Sequence, residues 1–475
     1  MNRPRRSFLL SAGSAALASA AVAAFGRDLA AEAPSDVFTP EMFGAKGDGV
    51  TNDSAAFAAL AVGVNANGGG SVVLRPVTYI VGRQTRTRPG RRGYAFEPAS
   101  LLHFRGCTKP LTIRGNGAVL KCASKLRYGV FDPVSGRKLE PAMPNMARGN
   151  LATPYEHMIM VEGCRGRIAI SDLELDGTSE SHEIGGQYGD VGWQIPAIGL
   201  FLMGNSGDEL IENLYTHHHL QDGIMLSGGS NAGRPTRRFR NVRSEYNVRQ
   251  GCSIIGGSRY VFENCKFNHT GRGRISSPPG AGVDIEAEHT PNRDHSFINC
   301  EFSNNAGCGM LADSGDSAGG TFRDCRFVGT TSWSLWAAKP NFRFYNCTVV
   351  GAAVQCFGDP DPARAAQFHG CTFTDDPRMT PNGKVYRQDR PDGALADLAY
   401  AQNVLFSRCS FLADHGAVLP WSTGAIYSDC TMRQKAKSTG YPRGTFRGRN
   451  VINGNVDLWG SKFEGQVILN GKALS

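Results

Sequence analysis

One short phrase recurs along the second half of this chain and limits the folds that the chain can adopt. Seven times an aromatic residue is followed three positions later by a cysteine and, after two more positions, by another apolar residue. The cysteines of this phrase are Cys265, Cys300, Cys325, Cys347, Cys371, Cys409 and Cys430. Where nothing is inserted, they are 25, 22, 24 and 21 residues apart. Such a period is typical of a solenoid, in which each coil buries its apolar face only against neighbouring coils.

The composition favours short strands that are joined by tight turns. The 475 residues include 41% hydrophobic residues, 20% charged residues and 59 glycines. Apolar residues mostly alternate with polar ones or occur in runs too short for a helix. We therefore expect an all-β fold with a single solenoid domain.

The thirteen cysteines are predicted to be buried free thiols, because most of them stand inside the repeat and a free cysteine behaves as a small hydrophobic side chain. A disulfide between stacked sulfurs is the alternative. No spacing of cysteine and histidine indicates a zinc site.

The net charge does not identify a partner. The formal charge is +9 at pH 7, which suits attraction to a polyanion and equally suits a protein that is merely kept soluble by its charge. No motif combines aromatic and basic residues in the manner of a nucleic-acid-binding protein, so we expect no nucleic acid partner.

The N-terminal residues have the pattern of an export signal. Arg5-Arg6-Ser7-Phe8-Leu9 precedes an alanine-rich stretch that is too short and too weakly apolar to span a membrane. The pattern predicts a twin-arginine signal peptide over residues 1–33 and a mature domain over residues 34–475. It also predicts recognition of the precursor by the twin-arginine export machinery and a periplasmic or secreted location. No later segment resembles a membrane span.

A second repeat lies out of phase with the cysteine phrase. Five segments, which begin at Gly199, Gly223, Gly251, Gly282 and Gly307, continue with closely spaced apolar residues. We expect them to be stacked strands of one parallel sheet, about 4.8 Å apart. Because side chains alternate across a strand, two inward rows are predicted. They are Leu200/Ile224/Cys252/Val283/Cys308 and Leu202/Leu226/Ile254/Ile285/Met310.

Residues 38–82 combine a glycine-rich turn, a helix signal and short strands. Residues 43–49 form the turn, Asp53 or Ser54 is the predicted helix N-cap, and residues 68–74 are glycines followed by a strand pattern. This opening resembles the N-terminal segment of the pectate-lyase-like superfamily. The resemblance implies a right-handed parallel β-helix with a short N-terminal capping helix. It also implies an active site on the outer face of one parallel sheet.

Acidic residues interrupt the otherwise apolar outward positions of the predicted ladder. Asp284 and Glu286 have apolar neighbours, so we expect raised pKa values for their carboxyl groups. Two residues along a strand span about 6.6 Å, close to the carboxyl separation of an inverting glycosidase. Together with Glu288 and Asp313, these residues offer oxygen ligands that suit Ca²⁺.

Elimination at a uronic acid residue requires a group that neutralises the sugar carboxylate and a base that removes the adjacent proton. Calcium on the acids suits the first task. The candidates for the base are Arg249, Arg272, Arg274, Lys339 and His289. The residues predicted to be catalytic are Asp284, Glu286, Arg249 and Lys339. The residues predicted to bind substrate are Arg272, Arg274, Trp333, Trp336 and His289.

These candidates have structural alternatives. The two acids are also expected in a turn cap or in ion pairs with Arg272 or Arg274, and the tryptophans are equally expected to close the solenoid core. The segment His217-His218-His219 is interpreted as surface histidines, because adjacent strand residues point to opposite faces. Asparagines at 264, 299 and 346 are predicted to fill a repeated turn.

Together these features predict an exported enzyme that cleaves an acidic polysaccharide by β-elimination. A glycoside hydrolase that uses Asp284 and Glu286 is one alternative, and a non-catalytic glycan-binding envelope protein is another. The chain lacks the paired-aspartate signature of polygalacturonase-type hydrolases and the Asp-Pro-His motif of alginate epimerases. Both of those specific activities are therefore disfavoured.

Overall fold

Parallel strands, stacked coil upon coil, make up most of the structure, which is a computed structural model. It describes residues 36–88, 90, 93–139, 150–186, 195–229, 234–288, 290–387, 393–399 and 401–474. From Asp36 onward the chain forms one unit. The predicted all-β solenoid is confirmed. The predicted signal peptide over residues 1–33 and His289 lie outside the described residues.

The N-terminal end of the stack is covered by the predicted helix, α1, which spans Ser54–Asn67. The apolar side chains on one face of α1, including Phe57 and Leu60, are buried in the main core. Asp53 is the N-cap residue, but its carboxylate accepts hydrogen bonds from the backbone of the preceding glycine-rich turn. The helix ends at Gly68, whose φ of 76° is a left-handed conformation that glycine adopts without steric cost. The capping-helix prediction is thus confirmed.

Each typical coil contributes one strand to each of three parallel sheets. The first sheet holds the strands that precede the cysteine of the phrase. Its strands are Gly70–Val73, Leu111–Cys122, Ile168–Asp176, Glu209–His217, Arg237–Arg240, Tyr260–Glu263, Asn292–Ile298, Ser317–Arg323, Phe342–Tyr345, Gln367–His369, Leu405–Ser407, Trp421–Ser428, Pro442–Arg447 and Lys462–Phe463, and Val37–Phe38 pairs with the first of them.

The second sheet holds the strands that follow the cysteine. Three long strands of the first sheet, Leu111–Cys122, Ile168–Asp176 and Glu209–His217, bend and continue into it. Its other strands are Thr78–Val81, Arg243–Glu245, Lys266–Asn268, Glu301–Ser303, Arg326–Val328, Thr348–Val350, Thr372–Thr374, Ser410–Ala413, Thr431–Gln434, Arg449–Asn453 and Gln466–Leu469, the last pairing antiparallel with Lys472–Ala473.

The third sheet, called the ladder sheet here, holds the glycine-led strands. Its strands are Leu102–Arg105, His157–Glu162, Ile198–Met203, Asp222–Ser227, Gln250–Ser258, Val283–Ile285, Met310–Ala312, Leu335–Ala337, Ala353–Val354 and Ala396–Leu398, and it continues into the starts of Trp421–Ser428 and Pro442–Arg447. A separate small sheet is built from Gln84–Arg86, Tyr94–Pro98, Arg127–Val130, Leu151–Ala152 and Glu183–Gly185. Short 3₁₀ helices span Pro40–Phe43, Ser179–Ser181 and Pro377–Met379.

The phrase produces two continuous columns inside the stack. Aromatic rings of successive coils lie face to face, with Phe322 4.8 Å from Phe297 and 5.0 Å from Phe344 between ring centroids. Beside them, each cysteine of the phrase places its sulfur near the phenylalanine carbonyl of the preceding coil, as Cys325 Sγ does at 3.4 Å from Phe297 O. All thirteen cysteines are free and buried, which confirms the prediction of buried thiols.

Asparagines form a third column at the corner between the first and second sheets. Asn264 and Asn299 adopt left-handed conformations, with φ of 56° and 52°. The amide of Asn299 donates to Asn264 Oδ1 at 2.9 Å, and similar contacts continue to Asn241 and Asn213. The predicted structural role is therefore observed, although the side-chain amides bond to one another.

The predicted register is wrong at one step of the ladder. Val283 was expected to lie beside Cys308, but it pairs with Met310, and Asp284 pairs with Leu311. Residues 307–309 precede the strand, which begins at Met310. A Cβ at Gly307 would lie 1.8 Å from Pro279 O, so only glycine allows the two backbones to approach this closely. Since the slip is two residues, Met310 still faces inward. Cys308, however, packs on the outer face and not in the core.

We expect Phe322→Ala to lower the free energy of unfolding by about 3–5 kcal/mol, because it removes a fully buried ring from the middle of the column. Phe322→Leu should cost less, since it leaves a smaller cavity. Urea denaturation of both variants measures this, with Val62→Ala on the exposed side of α1 as the matched surface control. A loss below about 1 kcal/mol for the alanine variant would contradict the structural role of the column.

Candidate functional site

The outer face of the ladder sheet presents one row of side chains in direct register. Along it, Met225 pairs with Ser253, Ser253 with Asp284, and Asp284 with Leu311. Val283 and Ile285, on either side of Asp284, are in the main core, so Asp284 points away from the interior. This orientation agrees with the sequence prediction.

Two apolar clusters occupy this outer face on either side of a polar region. The first is formed by Met160, Ile198, Phe201 and Met225, and the second by Ala281, Cys308, Leu311, Trp333 and Trp336. Between them lie Asp222, Gln250, Ser253 and Asp284, which we call the acidic band. The band is confined between low-dielectric surfaces, where charges interact more strongly than in water.

Asp284 is the most perturbed acid of the band. Its side chain is only 5% exposed, and burial together with the neighbouring charge of Glu286 raises the pKa of Asp284 to about 8. Gln250 Nε2 donates to its Oδ2 at 2.7 Å, whereas Oδ1 is buried without a hydrogen-bond partner. A carboxyl group in this setting carries a proton at neutral pH. Its Oδ1 can donate that proton, because it is not engaged in another hydrogen bond.

Asp222 and Arg249 form a buried ion pair at the other end of the band. Arg249 Nη1 lies 3.3 Å from Asp222 Oδ2, and Ser253 Oγ donates to the same oxygen at 2.8 Å. Asp222 is fully buried, and burial raises its pKa although the charge of Arg249 opposes this shift. Arg249 is 9% exposed, and its Nε has no hydrogen-bond partner. The guanidinium is thus held in place with unused donor capacity.

The other predicted acids lie beside the band. Glu286 is half-buried and accepts a hydrogen bond from Ser314 Oγ at 2.8 Å. Asp313 and Glu288 are exposed. The corrected register places Asp313 in line with Glu286, and not with Glu288 as expected. The negative charges of Glu286 and Asp313 both contribute to the raised pKa of Asp284.

The four acids do not form a ready-made calcium site in the part of the chain that the structure describes. A set of three ligand-type side chains whose donor atoms lie within 4.8 Å of one another occurs there at Asp176, His217 and His218, and not at these acids. Calcium requires six to eight oxygen ligands at short range. The arrangement of Asp284, Glu286, Glu288 and Asp313 does not fit this requirement as it stands.

The remaining basic candidates are occupied elsewhere. Arg272 donates to two backbone carbonyls and to the hydroxyl groups of Thr330 and Thr331, so it ties neighbouring corners together. Arg274 donates to the carbonyl of His182. Lys339 Nζ donates to Gly315 O at 2.8 Å. None of these contacts is the ion pair with Asp284 or Glu286 that was considered as an alternative.

The two tryptophans belong to the outer face and not to the solenoid core. Both pack against the buried members of the second apolar cluster, Ala281, Cys308 and Leu311, and both are partly exposed. Trp336 stands in the row of Asp284, two strands further on, with Leu311 between them. Its indole Nε1 is buried without a hydrogen-bond partner. Trp333 contacts Tyr386 edge to face at 5.2 Å between ring centroids.

The same row leads to a cavity at the N-terminal end of the face. Its volume is about 220 Å³, and its lining includes Tyr94, Glu97, His103, His157 and Met160. His103 pairs with Met160, which pairs with Phe201 of the first apolar cluster. His103 Nε2 lies 3.0 Å from Glu162 Oε2, and burial lowers the pKa of His103. The outer face therefore continues into an open polar recess.

Sequence reasoning missed Asp222, Gln250 and Ser253. Ser253 lies between Cys252 and Ile254 of the predicted inward rows, so alternation alone indicates that it faces outward. Asp222 immediately precedes Gly223 and stands one strand before Gln250. Extending the glycine-led alignment upstream by one residue would have placed an acid and an amide next to each other at the start of these strands.

The comparisons with known proteins found similar folds only. No family model and no curated protein matches this chain. Similar solved structures include the A-module of a mannuronan C-5 epimerase from Azotobacter vinelandii, with 14% identity, a TM-score of 0.42, and coverage of 91% of this chain and 97% of that one. An endo-xylogalacturonan hydrolase from Aspergillus tubingensis has 14% identity, a TM-score of 0.34, and coverage of 92% and 96%.

The N-terminal fragment of gene product 12 of bacteriophage Phi29 is also similar, with 15% identity, a TM-score of 0.44, and coverage of 92% of this chain and 72% of that chain. At these identities and TM-scores, what those proteins act on is not transferred to this chain. Over the described ranges, no helix has the length and apolar character needed to cross a membrane.

The pKa of Asp284 predicts a pH-dependent stability. Its ordinary value is 3.8 and the folded value is about 8, so the folded state holds the proton more tightly between these values. The contribution of Asp284 to stability should therefore fall by about 1.4 kcal/mol for each unit as pH rises from about 4 to about 8, and then level off.

Asp284→Asn should remove this slope, so the variant gains stability relative to the native protein as pH increases. Urea denaturation between pH 5 and pH 9 measures the difference. Asp316→Asn, a change of an exposed acid, is the matched control and should run parallel to the native protein. Parallel curves for Asp284→Asn as well would show that the raised pKa is wrong.

Proposed function

We propose that the protein is an exported enzyme that cleaves an acidic polysaccharide by β-elimination on the outer face of the ladder sheet. The observation that carries the proposal is that two groups lie on the same strip of an otherwise apolar surface. One is the buried carboxyl group of Asp284, whose pKa is raised, and the other is the guanidinium of Arg249, which Asp222 holds in place. The periplasmic or secreted location and the twin-arginine route are proposed from residues 1–33 alone.

Asp284 is proposed as the proton donor to the leaving sugar oxygen. A general acid must hold its proton at the working pH and still be able to release it. Burial gives Asp284 this property, and its unpartnered Oδ1 offers the position from which the proton leaves. Because the side chain is 5% exposed, the substrate has to displace the side chains around it.

Arg249 is proposed as the cation that binds the uronate carboxylate. Arg249 is not retained as the base that its position suggested, because a guanidinium has no site that accepts a proton. Its ion pair with Asp222 holds it in place. A fixed positive charge beside the sugar carboxylate makes the adjacent C–H bond more acidic. Asp222 is fully buried, and its ion pair with Arg249 positions the guanidinium.

Glu286 is proposed as the base. It stands two residues after Asp284, just beyond the end of the strand Val283–Ile285, and it is less buried. In the reaction, Glu286 takes the proton from the carbon beside the carboxylate, and the electrons of that C–H bond form a carbon–carbon double bond. The neighbouring bond from carbon to the bridging oxygen breaks, and Asp284 supplies the proton that this oxygen acquires.

The apolar clusters are proposed to bind the faces of the sugar rings. Trp333 and Trp336 are partly exposed beyond Leu311, and the recess near His103 lies in the opposite direction along the same row. Aromatic side chains combine large apolar surfaces with few rotatable bonds, which suits stacking against a rigid ring. A chain of sugars along the row would pass over the acidic band.

Hydrolysis is the second candidate, because Asp284 and Glu286 supply the two carboxyl groups that an inverting mechanism needs. In that reaction Asp284 protonates the bridging oxygen and Glu286 activates a water molecule. The charged Arg249 has no evident task in the hydrolysis of a neutral polymer. We therefore favour elimination from an acidic one.

Incubation with a panel of uronate polymers tests the proposal. Elimination creates a conjugated double bond, so ultraviolet absorbance should increase together with reducing ends. Asp284→Asn and Glu286→Gln should each lower the rate by at least about 100-fold, whereas Asp316→Asn, a change of an exposed acid, should not. Reducing ends without new absorbance would establish hydrolysis, and binding without cleavage would establish a glycan-binding protein.

Dependence on calcium is a separate prediction for Asp284, Glu286, Glu288 and Asp313. Because these acids do not form a ready-made site, the steps above involve no metal ion. If Ca²⁺ binds there together with the substrate carboxylate, EDTA should abolish cleavage and added Ca²⁺ should restore it. Unchanged activity in EDTA would contradict the predicted calcium requirement.

A further inference from the structure

A second polar cluster lies at the corner where the second sheet ends and the chain turns into the next ladder strand. Asp176 and His217 are neighbours in register on adjacent strands of the second sheet. Leu175 and Thr216, the residues before them, are fully buried, so Asp176 and His217 point outward. The two side chains are 14% and 9% exposed. The cluster is therefore mostly shielded from solvent, but a small ion can reach it.

His218 turns its ring toward the same cluster. Alternation along a strand predicts that His217 and His218 point to opposite faces, and this prediction is wrong. The φ of His218 is 54°, a left-handed conformation that ends the strand and interrupts the alternation. Its ring stacks on Tyr246 at 5.3 Å between centroids, and Tyr246 stacks on His269 at 4.7 Å. The ring is thereby fixed in position.

Three donor atoms converge at this corner. One nitrogen or oxygen atom of each of Asp176, His217 and His218 lies within 4.8 Å of the others. His217 Nδ1 is 2.6 Å from His218 Nδ1 and 3.8 Å from Asp176 Oδ1. Two neutral nitrogens this close repel one another unless a proton or a cation lies between them.

The tautomer of His217 that carries its proton on Nε2 favours binding of a cation at Nδ1. His217 Nε2 lies 3.2 Å from Glu174 Oε1, and this carboxylate requires a proton on Nε2. The lone pair of Nδ1 is then directed toward the cluster. A carboxylate that orients a histidine through its outer nitrogen is the usual second partner of a metal-binding imidazole. Tyr215 stacks on the His217 ring at 4.2 Å and restricts its rotation further.

We propose that Asp176, His217 and His218 bind a divalent transition-metal ion of the zinc type, with Glu174 as the positioning residue. Two imidazole nitrogens and one carboxylate oxygen are ligands that suit Zn²⁺ or Co²⁺, and they are poor ligands for calcium. At metal–nitrogen distances of about 2.0–2.1 Å, two nitrogens of a tetrahedral site lie about 3.3 Å apart. The two rings therefore need to separate by less than about 1 Å.

The surrounding charges are compatible with a bound cation. Lys121 Nζ is 3.5 Å from Asp176 Oδ2, so it approaches the oxygen that faces away from His217. Arg243 is engaged by Glu245 at 2.6 Å. Glu174 and Asp176 remain to balance the charge of the ion. Three protein ligands leave one tetrahedral position for water or another molecule.

Metal binding by the folded full-length protein tests the proposal. Titration with Co²⁺ should give one bound equivalent and the visible absorption of a tetrahedral complex, and one equivalent of Zn²⁺ should displace it. Zn²⁺ should also raise the thermal unfolding temperature. Because the chain has thirteen thiols, the His217→Ala, His218→Ala double variant provides the background signal.

His217→Gln and Asp176→Asn should each weaken Co²⁺ binding at least about 100-fold while the protein remains folded, and Glu174→Gln should weaken it about 10- to 100-fold. His269→Ala is the matched control, since His269 belongs to the same aromatic corner but supplies no donor atom. It should bind Co²⁺ normally. Failure of the native protein to bind Co²⁺ or Zn²⁺, or equal binding by all these variants, would overturn the proposal and leave a shared proton between the two histidines.

Discussion

Parallel backbone pairing between successive coils is the constraint on which the rest of the structure depends. It places each residue directly beside its counterpart in the next coil, about 4.8 Å away, and gives no freedom to shift by part of a residue. An aromatic ring, a thiol or an amide that recurs once per coil therefore becomes a continuous column. The rings of Phe297 and Phe322 are parallel, with an interplanar angle of 0°, because their strands are paired at that position. The repeated phrase is thus required by geometry, since a coil that lacked the ring would leave a gap between two others.

The same constraint makes the outer face chemically unusual. On an ordinary surface an acid rotates into water, but Asp284 is fixed between Ser253 and Leu311 by its backbone pairing. Apolar side chains on both sides of the acidic band lower the local dielectric, and burial then raises the pKa of Asp284 to about 8. The fold therefore produces a proton-holding carboxyl group without a dedicated cavity. Arg249 and Asp222 lie beside each other because the strands Asp222–Ser227 and Gln250–Ser258 begin at the same edge of the sheet.

Sequence reasoning was most successful where the repeat is exact and weakest where the chain leaves the strands. The cysteine and aromatic columns follow from spacing alone, and so does the outward position of Asp284. The pairing of Val283 was misjudged because Gly307-Cys308-Gly309 resembles a strand, and a slip of two residues keeps the same faces. Asp222 was missed because it stands before the glycine that marks the repeat. His218 was misplaced because alternation assumes an extended backbone, whereas the sequence does not reveal a φ of 54°.

Corners and faces contribute differently to chemistry in such a stack. A face separates neighbouring donors by a full strand spacing and sends adjacent residues to opposite sides, so it favours extended surfaces for extended ligands. A left-handed corner residue breaks both rules, because it brings the side chains of consecutive positions together, as at His217 and His218. Compact ligand sets are therefore expected at corners, and extended binding surfaces on sheets. Here one short segment, from His217 to Asp222, connects the proposed metal-binding corner to the acidic band within a single coil.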